Sequence, residues 1–99
     1  MSEVDISLVA AEFTSATRAR KAFDDLGRWS QEPARQMVSV YRLAEHGVAS
    51  IIVAVMPSAS GLVDPITRRL ERRGGRLRNI PEADKLFLVK RFLDVLDEP

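Results

Sequence analysis

The sequence predicts an α+β domain of ferredoxin-like βαββαβ layout, an antiparallel sheet with helices on one face, extended by an additional C-terminal helix. Three observations predict it. Two short runs, Ile6 to Phe13 and Val48 to Met56, are mostly apolar and rich in strand formers, as strands buried on both faces are. A third segment, Gln36 to Ala44, alternates, with Val38 and Val40 on one side and Met37, Ser39, Tyr41 and Leu43 on the other. Stretches of helical period follow the first strand and the hairpin, which gives the order strand, helix, strand, strand, helix, short strand, helix.

Each element has a local reason. After Ile6 to Phe13, Thr14 and Ser15 offer N-cap oxygens, and Ala19, Ala22, Phe23 and Leu26 recur at helical spacing from Ala16 to Leu26. Arg18, Arg20, Lys21, Asp24 and Asp25 take the opposite side, and Gly27 is the expected C-cap. The stretch Arg28 to Pro33 reads as a connection, because proline biases its predecessor away from helix. Glu45-His46-Gly47 then supplies the turn of a hairpin joining Gln36 to Ala44 with Val48 to Met56. Pro57 to Gly61 is loop. Asp64-Pro65 is the expected N-cap and first position of a helix carrying Leu62, Ile66 and Leu70, and Gly74-Gly75 ends it. Arg76 to Ile80 alternates weakly and reads as an edge strand; if it were loop, the fold would be a three-stranded sheet with three helices. Pro81 opens the last helix, Glu82 to Leu96, with Glu82 and Asp84 in its first turn.

Length and composition bound the function. A chain of 99 residues fits a single domain, 1–99. An apolar share of 45% with 29% charged residues is that of a folded globular protein and not of a disordered chain. The absence of cysteine excludes disulfides, thiolate nucleophiles and cysteine zinc sites, and suits the cytoplasm. No basic leader precedes an apolar core at the N-terminus, and the run Val48 to Met56 is about half the roughly 20 residues a membrane helix needs, so no membrane association is expected. A net charge of +1 gives no global drive toward nucleic acid.

Two local features stand out. The C-terminal helix presents Leu86, Val89, Leu93 and Leu96 along one side with Leu88, Phe92 and Val95 beside it, a wide apolar surface that either completes the chain's own core or forms a homodimer interface. Leu86, Val89, Phe92, Leu93 and Leu96 are the expected oligomer contacts. Six arginines, Arg68, Arg69, Arg72, Arg73, Arg76 and Arg78, are opposed within their span by Glu71 alone. Guanidinium groups fork onto phosphate and carboxylate, so these six are the expected phosphate or ligand contacts, for nucleic acid or an acidic partner. The more economical reading is a solvated helix face.

Elsewhere the chemistry is sparse. His46 in the hairpin turn and Tyr41 in mid-strand are the expected pocket residues, the groups with acid or base capacity were two subunits to enclose a site. No nucleophile is tied to His46 by motif, a single histidine excludes a multi-histidine metal site within one chain, and Asp94, Asp97 and Glu98 form only a loose acidic tail. No catalytic residue, metal or cofactor is expected. The third strand carries no aromatic and the first only Phe13, so bases have no stacking platform of the kind RNA-recognition sheets display. The reading that results is a homo-oligomeric, non-catalytic binding or regulatory module. Its alternatives are a nucleic-acid or phosphate-binding accessory protein using Arg68 to Arg78, and a small enzyme with its pocket between subunits.

Overall fold

A computed structural model describes residues 5–32, 37–44 and 50–97. In chain order these form β1 (Ile6–Phe13), α1 (Ala16–Trp29), β2 (Ser39–Ala44), β3 (Ser50–Pro57), a one-turn 3-10 helix (Ser58–Ser60), α2 (Val63–Arg72), β4 (Arg76–Leu77) and α3 (Glu82–Asp97). The strands hydrogen-bond in the order β2-β3-β1-β4, each neighbouring pair antiparallel, which places the two most apolar segments in the middle. The turn Glu45 to Gly47, with His46, lies outside the described residues, as does Gln36, the expected first residue of β2.

Alternation along the central strands divides the interior into two layers. Ala11, Phe13, Ile52, Ala54 and Met56 point to one face, where α1 and α2 pack. Ala10, Ile51, Val53 and Val55 point to the other, where α3 lies with Leu88 and Phe92. Every residue of β3 is buried, which is why its sequence shows no polar alternation.

Helix α1 begins as its sequence implies, with the Ser15 hydroxyl accepting from the Arg18 backbone N–H at 3.3 Å. It does not stop at Gly27. The helix continues to Trp29, which packs against the core, and Ser30 caps it by donating its backbone N–H to the Leu26 carbonyl and its hydroxyl to the Gly27 carbonyl. Packing of the indole outweighs the weak helix propensity of one glycine.

Helix α2 also starts earlier than expected. Leu62, not Asp64, holds the N-cap position, with its backbone N–H donated to the Ser60 hydroxyl, while Asp64 and Pro65 occupy the first turn. Proline is tolerated there because N–H groups of the first turn have no intrahelical acceptor. Ile66 and Leu70 are the buried stripe. At the other end the Gly74 N–H donates to Glu71 and the Gly75 N–H to Leu70, the paired bonds of a Schellman cap, with Gly74 at φ 91°. Gly75 is fixed by space: a Cβ there would lie 2.7 Å from Phe13 Cζ and 2.9 Å from the Leu70 carbonyl oxygen.

Strand β4 exists, which excludes the three-stranded alternative, but it is shorter than the expected Arg76 to Ile80. Only Arg76 and Leu77 pair, with Glu12 and Ala11, and one further bond runs from the Arg78 N–H to the Ala10 carbonyl. Ile80 is then drawn under α3 and buried in the second layer, so the chain leaves the sheet edge. By strand alternation Leu8 directs its N–H and C=O to the same side as Ala10 does, beyond the reach of β4. Pro81 sits one residue before α3, and its carbonyl accepts the first helical bond, from Lys85.

Candidate functional site

Two surfaces emerge from this framework, one on each side of the sheet. The first is basic. Helices α1 and α2 lie side by side over the first layer, and their polar flanks meet along a seam. Asp25 in α1 is its hinge point: one carboxylate oxygen accepts from Arg69 at 3.2 Å and the other from Arg73 at 3.1 Å, so a single acid ties the last turn of α2 and its C-cap residue to α1. Arg69 also stacks over Trp29, 4.9 Å from the ring centroid. Asp25 is partly exposed, and such pairs contribute modestly in water.

The six expected arginines do not act as one group. Arg69, Arg72, Arg73 and Arg76 do not share a helix face, because α2 ends at Arg72 and Arg76 belongs to β4. Arg69 and Arg73 are engaged by Asp25, Arg78 donates to Glu12 at 3.2 Å, and Arg68 points to solvent on α2. Arg72 and Arg73 instead line a recess of about 350 Å³ with Gly74 and with two residues of α1, Arg18 and Lys21. Neither of the α1 cations stands out in the sequence as a binding residue. Their spacing of three places them on one helix flank, but only the packing of α1 against α2 brings that flank to Arg72.

The second surface is apolar and belongs to α3. Phe92, expected at a subunit interface, is 1% exposed within the chain and belongs to the second layer with Leu88. Burying two such side chains stabilises the docked helix by about 1.5–3 kcal/mol each. What remains outside is large: Leu86 is 65% exposed, Phe87 61%, Val95 49% and Leu93 38%. Leu86, half-buried Val89 and Leu93 follow one another at helical spacing as a stripe beside the buried one, and Phe87 and Val95 lie on its other flank. The side chain of Leu96, the last expected interface residue, lies outside those described.

Tyr41 is half-buried opposite Val53 and packs against the second layer, among core side chains. His46, its expected pocket companion, lies outside the described residues. Among the described residues no group of three acidic or histidine side chains converges as a metal would require, and no helix is long and apolar enough to cross a membrane.

Among the described residues the fold is α+β, a four-stranded antiparallel sheet with three α-helices that cover both of its faces. No protein-family model matches the chain, and neither a curated protein nor a solved structure matches it.

Proposed function

We propose that the protein is a ferredoxin-like module that self-associates through α3 and serves as a non-catalytic binding or regulatory unit. The single observation that carries this reading is the surplus of apolar surface on α3. After Leu88 and Phe92 have met the chain's own need for a second layer, Leu86, Leu93, Phe87 and Val95 still face outward. A second copy is the occupant that fits best. Lys90 and Asp94, one turn apart and both exposed, border the stripe of Leu86, Val89 and Leu93. Two such helices paired antiparallel about a two-fold axis between Val89 and Lys90 match Leu86 of one copy to Leu93 of the other. The ferredoxin-like assignment is supported by the element order and by a sheet that reads β4-β1-β3-β2 from its other edge.

Solution mass by light scattering behind a sizing column tests the reading. The native chain elutes as a dimer or larger closed assembly, and Leu93→Glu and Leu86→Glu each give a folded monomer with unchanged helical circular dichroism. A native chain that is monomeric at high micromolar concentration discards the proposal.

A further inference from the structure

We propose that the recess between the N-terminal half of α1 and the C-terminal end of α2 is a binding site for a compact phosphate group, a phosphomonoester or pyrophosphate, held by Arg18, Lys21 and Arg72 with Arg73 at its wall. This site is separate from α3 and independent of self-association.

The first ground is charge without compensation. Arg18, Lys21, Arg72 and Arg73 line a recess of about 350 Å³ whose lining contains no acid. Two carboxylates line adjoining recesses and both are already engaged: Asp25 accepts from Arg69 and Arg73, one on each oxygen, and Glu12 accepts from Arg78. Among the described residues Arg18, Lys21 and Arg72 have no acidic partner at salt-bridge distance. Like charges brought together from two helices raise the energy of the empty site, and an anion relieves it.

The second ground is how the cations are placed. Arg18 stands in the first turn of α1, where the helix dipole disfavours a cation; α2 and α3 both place acids in that turn, Asp64 in one and Glu82 with Asp84 in the other. Its guanidinium extends across to the end of α2: a Cβ on Gly74 would lie 3.1 Å from Arg18 Nη1. The left-handed glycine of the Schellman cap therefore does two things, closing α2 and leaving the space in which the Arg18 fork lies. Arg73 is held by Asp25, so one wall of the recess is anchored while the other cations stay available.

The shape of the charge favours a discrete phosphate over a polynucleotide. A nucleic-acid track needs cations spread along a groove, with aromatic faces for the bases. Here the cations converge on one depression, and the exposed aromatic Phe87 lies on α3, on the opposite face of the sheet. Three or four donors around one tetrahedral anion is the arrangement forked guanidinium groups make best.

Titration with inorganic pyrophosphate, followed by amide nitrogen–proton correlation spectra, tests the site. The expected result is saturable shifts confined to Arg18, Lys21, Arg72, Arg73 and Gly74. Arg18→Gln and Arg72→Gln should each weaken binding about tenfold, the size of one charge-assisted contact, and Arg68→Gln should leave it unchanged. These positions are exposed, so the variants should keep the native spectrum elsewhere. No saturation at millimolar pyrophosphate, or equal binding by both recess variants and the native chain, overturns the proposal. So does a single-stranded oligonucleotide that binds through Arg76 and Arg78 and that pyrophosphate does not displace.

Discussion

On one face of the sheet two helices bury Ala19, Ala22, Leu26, Ile66 and Leu70 and turn a heavily charged side to solvent; on the other a single helix buries Leu88 and Phe92 and leaves Leu86, Phe87, Leu93 and Val95 outside. The first layer is finished within the chain. Its alanines let α1 approach the sheet closely, and its polar seam is closed by Asp25 with two arginines. The second is a lid whose inner half is specific and whose outer half is still apolar. The difference marks α3 as the helix with apolar surface left over on its outer side, alongside the exposed charges Lys90, Arg91 and Asp94.

Substitutions sharpen or break this contrast. The largest effect is expected at the inner half of the lid: Phe92→Ala should lower unfolding free energy by about 3–5 kcal/mol in urea, the range for deleting a fully buried aromatic. A loss near zero would mean that α3 rests loosely on the sheet and that the second layer is no core at all. A smaller effect probes the seam of the first layer. Asp25→Asn, which weakens two ion pairs at once, should destabilise by about 1 kcal/mol at low salt and less at high salt, because both pairs are partly exposed. A salt-independent loss would show that the seam is held by packing instead of charge. The smallest change has the opposite sign. Gly27 lies inside α1, and a Cβ added there would meet no neighbouring atom within 4 Å, so Gly27→Ala should raise stability by about 0.5–1 kcal/mol, read as a higher urea midpoint.

The parts that were legible in the sequence are those set by short-range pattern. Uniform apolarity marked β1 and β3, alternation marked β2, and three- and four-residue spacing marked the helices. Boundaries moved where a tertiary contact overruled a local signal. Gly27 stayed helical because Trp29 reaches the core, and β4 stopped at Leu77 because Ile80 is buried on the far side of the sheet. The arginine run was visible, but its division was not: which guanidinium pairs with Asp25, which with Glu12 and which meets Arg18 depends on how α1 and α2 lie together. In the same way the hydrophobic width of α3 could be read from spacing, whereas the inward rotation of Phe92 and the outward one of Leu93 follow from where the helix lands.

The register of β1 has a consequence for how the chain must assemble in time. Its partners are Ser50 to Pro57 on one side and Arg76 and Leu77 on the other, and both follow it at a distance in the chain. Sheets built from such distant pairings form slowly, since the intervening chain must be closed into a loop before any contact repays it. During synthesis β1 therefore has no β3 partner until Ser50 and the residues after it have emerged, and among the described residues β4 pairs with Ala11 and Glu12 alone. Helix α1, formed from local contacts immediately behind it, packs on the face that carries Val9, Ala11 and Phe13 and can shelter them in that interval.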